Sequence, residues 1–146
     1  MHYTARAHID GGRDGHAATD TGYPSLTLKP PPAMGGPVDQ SAVTNPEQLF
    51  ALGYGACFLS TLQYVARTRK IRATTFTLDS VVHLVQVDDG FRLSAELTAH
   101  LPGVEQPVAD ELMAEAHAQC VYSRAVRGNI DVTLHCDVTV PAGASA

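Results

Sequence analysis

The chain has 146 residues, 45% of them hydrophobic and 17% charged, with a net charge of −5 at pH 7 and a pI of about 5.7. This composition can fill an apolar core and argues against a disordered chain, so residues 1–146 are expected to form one domain. The acidic balance argues against a nucleic-acid partner, which requires a basic face.

The opening residues, Met1 to Asp10, alternate in polarity and lack the apolar run of a signal peptide. No stretch reaches the roughly 18 unbroken apolar residues of a membrane span, so no membrane partner is expected and the cytoplasm is the default location. A domain of this size buries only about two thirds of its unfolded surface, which favours a homodimer with a shared core.

Alternation predicts a first strand over residues 2–9, with Tyr3, Ala5, Ala7 and Ile9 on one face. The glycine-rich segment Gly11-Gly12-Arg13-Asp14-Gly15 predicts a tight turn. Short strands follow near 16–19 and 25–29, the latter stopped by Pro30-Pro31-Pro32. Residues 30–43 then form a proline- and glycine-rich loop containing Met34, long enough to suggest a lid or binding segment.

A long helix is predicted from Thr44-Asn45-Pro46-Glu47-Gln48. Asn45 suits the N-cap, Pro46 the first turn, and Gln48 can complete a capping box. The helix is apolar on all sides as far as Arg67, which predicts burial all round. Gly53 and Gly55 inside it predict the close approach of another backbone. The basic run Arg67 to Arg72 lies where cations suit the helix dipole. Residues 73–87 and 91–101 read as a hairpin turning at Asp88-Asp89-Gly90, and 107–119 as a second helix. Residues 130–140 read as a strand with Ile130, Val132, Leu134, Cys136, Val138 and Val140 on its apolar face. Strands with segregated helices predict an α+β fold with mainly antiparallel sheet.

The three cysteines differ in setting. Cys136 on the last strand reads as a small buried hydrophobe. Cys57, inside the long helix, is either another core thiol or a reactive one. Cys120 has polar neighbours at a helix end and could be a surface thiol, a metal ligand paired with His117, or a redox thiol. A closed zinc site needs four good ligands, and the sequence supplies no Cys-x-x-Cys pair; no metal and no bound cofactor are expected.

Three segments together resemble the OsmC/Ohr family, in its organic hydroperoxide resistance branch. They are Gly11-Gly12-Arg13-Asp14-Gly15; Thr44 to Phe50 continuing through Gly53-Tyr54 to Ala56-Cys57-Phe58; and Cys120 with Tyr122-Ser123 followed by Arg127 to Val132. The resemblance implies an intertwined α+β homodimer with mainly antiparallel sheets packed on a long central helix and active sites at the subunit interface. It implies that Cys57 attacks the peroxide, that Cys120 resolves the product as a Cys57–Cys120 disulfide, and that Arg13 and Glu47 stand beside the reactive thiol. It also implies an organic hydroperoxide substrate and an external dithiol reductant, dihydrolipoamide or a lipoylated protein. The chain departs from the family pattern at Val121, where proline is usual, at Arg124, where a small polar residue is usual, and in carrying Cys136.

That chemistry suits these residue types. Only the thiolate attacks, a free thiol has a pKa of about 8.5, and burial moves it further toward the neutral form. A guanidinium such as Arg13 can hold the anion, and Glu47 can hold the guanidinium. Arg127 is a rival cation, and Glu47 is also a favourable charge in a first helical turn. Phe50, Tyr54, Phe58 and Met34 could line an apolar pocket that prefers alkyl or lipid peroxides, or could be ordinary core. A relative with a different peroxide or reductant preference, and a dimeric binding module with incidental thiols, are the competing readings.

Overall fold

Three short strands open the chain, each ended by a turn that its glycines or prolines dictate. The structure is a computed structural model that describes residues 1–141 and 143. It divides into two units, Met1–Leu49 and Phe50–Ala146.

In the first unit, β1 (Ala7–Asp10), β2 (Gly15–Thr19) and β3 (Ser25–Leu28) form an antiparallel sheet in that order, with Ile9 opposite Ala17 and Ala17 opposite Leu26. The β1–β2 turn demands glycine at both ends. Gly11 has φ of +72°, and a Cβ at Gly15 would lie 1.9 Å from the Asp10 carbonyl oxygen. β1 is shorter than the expected 2–9 because only Ala7–Asp10 find partners on the five-residue β2; Tyr3 lies exposed before it. The 30–43 loop holds one short 3-10 turn, Pro32–Met34, and returns the chain beside β3. There Thr44 N–H donates to Thr27 O and Lys29 N–H to Thr44 O, both at 3.0 Å.

The long helix α1 (Pro46–Thr68) starts where the sequence predicts. Asn45 Oδ1 accepts the Gln48 N–H at 2.9 Å, so the N-cap holds. The capping box does not close in the expected way, because the Gln48 carboxamide oxygen accepts from the Thr44 hydroxyl at 2.8 Å.

In the second unit α1 is the core helix. Tyr54, Phe58, Leu62, Val65 and Ala66 are buried, a single stripe at helical spacing. Burial all round does not occur: Leu52 and Tyr64 are exposed, because nothing among the described residues covers those two positions. By length and composition alone α1 could cross a membrane, yet its stripe packs into the core beside the sheet and second helix.

β4 (Thr77–Val87) and β5 (Gly90–His100) pair antiparallel through the two-residue turn Asp88-Asp89. Ala95, Leu97 and Ala99 alternate into the core. β6 (Asp131–Asp137) joins the far edge of β5 in parallel, with Leu97 opposite Leu134. It runs parallel because two helices intervene and carry the chain back to the same end of the sheet. The first is α2 (Gln106–Gln119), which buries Ala109, Leu112, Met113 and Ala116. The second, α3 (Val121–Val126), is a separate six-residue helix that the sequence reading missed. Arg69, from the basic run, forks to Glu111 and Glu115 on α2 at 2.7 Å each.

Candidate active site

Helical spacing puts Cys57 one residue before the buried Phe58, so its thiol sits at the margin of the α1 stripe and is only partly exposed. Cys120 sits where α2 ends and α3 begins. Its ψ of 126° breaks the helical path, its N–H still donates to Ala116 O at 2.8 Å, and its carbonyl accepts the Arg124 N–H at 2.9 Å. Despite its polar neighbours Cys120 is fully buried, which corrects the surface reading. Its thiol points at Cys57, with the two sulfurs 3.6 Å apart and both free.

The glycines before Cys57 make room for this junction. A Cβ on Gly53 would come within 3.2 Å of the Tyr122 hydroxyl oxygen and 3.3 Å of its ring. On Gly55 it would come within 3.1 Å of Ser80 Cβ. Side chains, not another backbone, fill the space. Tyr54 meets Phe50 and Phe58 edge-on at centroid distances of 5.9 and 6.5 Å, and lies 6.1 Å from Tyr122. Its hydroxyl reaches Ser123 Oγ at 2.8 Å, and Ser123 Oγ lies 3.0 Å from His117 Nδ1.

Burial pushes the Cys57 thiol pKa up, and contact with Cys120 adds to this; the backbone N–H groups of Tyr122 and Val121 pull it the other way. The balance within this unit favours the neutral thiol. Arg127, the rival cation, donates to the His117 carbonyl oxygen at 2.9 Å and so caps the end of α2.

In the first unit, Arg13 and Glu47 form a bidentate pair across 34 positions of sequence. Arg13 Nη1 donates to Glu47 Oε2 at 2.8 Å and Nη2 to Oε1 at 2.6 Å. The guanidinium holds the Glu47 carboxyl below its usual range, while partial burial opposes. Arg13 rides on the glycine turn, whose next residue, Asp14, pairs with Lys29.

The profile of the OsmC-like protein family matches residues 39–135. An organic hydroperoxide resistance protein of Xanthomonas axonopodis pv. citri is 41% identical over 133 residues, 90% of this chain and 92% of that one. The chain belongs to the OsmC family, in its organic hydroperoxide resistance branch. Two crystal structures of organic hydroperoxide resistance proteins agree in fold. That from Legionella pneumophila is 43% identical with a TM-score of 0.87, covering 94% of this chain and 99% of that one. That from Elizabethkingia anophelis is 40% identical with a TM-score of 0.88, covering 95% and 99%.

In this OsmC-family chain Val121 opens α3 and keeps an N–H that proline would lack, while Arg124 is exposed in the last turn. Cys136 packs partly buried against the core, and burial raises its pKa, with Asp110 and Asp137 adding to the shift. Among the described residues no cluster of three His, Cys, Asp or Glu side chains is placed to hold a metal ion. His117 turns its Nδ1 to Ser123, where the metal alternative paired it with Cys120. The Tyr54–Ser123–His117 chain escaped the sequence reading; the polar run around Cys120 was its only signal.

Proposed function

We propose that this chain is a two-cysteine thiol peroxidase that detoxifies organic hydroperoxides in the cytoplasm. The observation that carries the proposal is the contact between Cys57 and a fully buried Cys120, their sulfurs 3.6 Å apart with no bond between them. The relatives named organic hydroperoxide resistance proteins support the same role.

In the proposed first step the Cys57 thiolate attacks the O–O bond. One oxygen stays on sulfur as sulfenic acid, and the other leaves, with a proton, as the alcohol. In the second step the Cys120 thiol displaces hydroxide from that sulfur. An S–S bond forms, and the thiol proton leaves with the hydroxide as water. An external dithiol, of the lipoyl type, then exchanges with the disulfide and restores both thiols.

Arg13 is assigned the charge that the apolar neighbours of Cys57 do not supply: it stabilises the thiolate and the negative charge developing on the departing oxygen. Glu47 keeps the guanidinium fork oriented, as the 2.8 and 2.6 Å pair supports. Tyr54 and Phe58 are core, so of the aromatic side chains around Cys57 it is the half-buried Phe50 that favours an alkyl or lipid group. The exposed Leu52 and Tyr64 on α1 support a homodimer in which a second copy covers them.

Steady-state turnover with dihydrolipoamide tests the assignment. tert-Butyl hydroperoxide is expected to exceed hydrogen peroxide in kcat/KM by at least about tenfold, roughly the discrimination available to an apolar pocket. Equal values would contradict organic selectivity, and no turnover of either would contradict the enzyme.

A further inference from the structure

The thiol pair leaves three buried or half-buried polar groups beside it unexplained. Ser123, three residues after Cys120, is fully buried, as is Tyr54. Ser123 Oγ lies 2.8 Å from Tyr54 Oη on α1 and 3.0 Å from His117 Nδ1 on α2, so one hydroxyl ties α3 to the other two helices of its unit. Six residues are too few for α3 to hold its own shape. Cys120 is its N-cap, and the Cys120 carbonyl accepts the Arg124 N–H at 2.9 Å. Whatever fixes Ser123 therefore also fixes the Cys120 sulfur opposite Cys57.

We propose that Ser123, clamped between Tyr54 and a neutral His117, is a positioning residue for disulfide formation, aligning the Cys120 sulfur with the Cys57 sulfenic acid. The inference rests on the peroxidase reading. The step it serves forms the S–S bond, breaks the sulfenic S–O bond and releases water, and needs no oxidant beyond the organic hydroperoxide already consumed.

A hydrogen-bond count makes the clamp sensitive to pH. With His117 neutral and its proton on Nε2, Tyr54 O–H can donate to Ser123 Oγ and Ser123 O–H to His117 Nδ1, so each proton along the chain has an acceptor. A protonated imidazole donates from both nitrogens. Ser123 must then accept from it, and one of the two hydroxyl protons, on Ser123 or on Tyr54, is left without an acceptor in the chain of three. His117 faces the Phe58 ring of α1 at 6.5 Å, Ser123 of α3, and Arg127, whose guanidinium donates to its carbonyl oxygen. The two thiols act at the far end of the chain, on Tyr54. Burial, then the Arg127 charge, push the His117 pKa down. The clamp is therefore complete above the ordinary histidine range and is lost as pH falls through the lowered value.

Rapid mixing of the reduced protein with one equivalent of tert-butyl hydroperoxide separates the two steps, with dimedone trapping the sulfenic acid and intact mass reporting the disulfide. Ser123→Ala is expected to slow the disulfide step at least about tenfold, since small misplacements of reacting atoms carry large rate costs, and to leave the peroxide step within about twofold. Ser123→Thr restores the hydroxyl and the rate. In the unmutated protein the disulfide step alone slows as pH falls through the lowered His117 value, on the acid side of an ordinary histidine. His117→Asn, whose carboxamide accepts a hydrogen bond without titrating, removes that slope. An unchanged disulfide rate in Ser123→Ala, equal slowing of both steps, or a pH slope that persists in His117→Asn overturns the inference. If Ser123→Ala fails to fold, the pH comparison decides. If the unmutated protein makes no Cys57–Cys120 disulfide, the peroxidase reading falls and takes this inference with it.

Discussion

The two units each hold one pair of interacting side chains, of opposite character. The first holds a charged pair: Arg13 and Glu47 meet in two short hydrogen bonds, and each keeps the other ionised. The second holds a pair of thiols in an apolar setting: burial moves Cys57 away from the anion, and Cys120 is fully enclosed. A thiol contact can make a disulfide, but it cannot by itself make a nucleophile, because only the thiolate attacks. The charge must be supplied by something other than the sulfur's apolar neighbours. The proposal gives that role to Arg13, already oriented by a carboxylate, whereas Arg127 is committed to a main-chain carbonyl.

Removing the sulfur breaks the comparison most completely. Cys57→Ser is expected to abolish turnover of tert-butyl hydroperoxide, a loss of at least about a thousandfold. Cys136→Ser keeps turnover within about twofold, since that thiol is a partly buried packing group on β6. Removing the cation breaks the other half. Arg13→Met is expected to cost about a hundredfold in kcat/KM. Below the pKa of an unassisted thiol its rate climbs about tenfold per pH unit, whereas the native rate levels off at lower pH. The sign follows from the direction: a raised thiol pKa leaves less anion at neutral pH, and the deficit closes as pH rises. Stopped-flow rates across the pH range distinguish the two profiles.

A smaller effect measures what the second unit contributes to the anion on its own. Val121→Pro fits the first position of α3 but deletes one of the two N–H groups that favour the Cys57 thiolate. The expected loss is about two- to fivefold at neutral pH, smaller than the full worth of a charged hydrogen bond, with the pH profile moved to the alkaline side. The smallest expected change is in stability. Asn45→Ala removes the N-cap bond to Gln48 and should cost about 1 kcal/mol. That corresponds to about 2–4 °C in Tm for a chain of this size, read by calorimetry.

Local patterns were the legible part of the sequence. Asn45-Pro46 marked the start of α1, the two residues before Gly90 made the hairpin turn, and alternation marked β6. What alternation could not tell is which strand β6 pairs with and in which direction, since those depend on the helices that precede it. Nor could an apolar helix reveal that Leu52 and Tyr64 would face outward within one chain. Cys120 shows the same limit. Its neighbours in sequence are polar, but its burial is decided by α1, which lies some 60 residues earlier. The pairing of Arg13 with Glu47 and of Cys57 with Cys120 spans long sequence separations. Resemblance to the OsmC/Ohr family suggested both, where composition and spacing left each residue with a bland alternative.

A half-buried sulfur, Cys57, and a buried one, Cys120, are proposed to form one redox unit. Peptide mapping after a single equivalent of organic hydroperoxide tests it most directly. The expected product is a peptide pair joined through Cys57 and Cys120, lighter by two hydrogens, with Cys136 still alkylatable. Cys57 recovered as sulfinic acid beside a free Cys120, or a crosslink that involves Cys136, would contradict it.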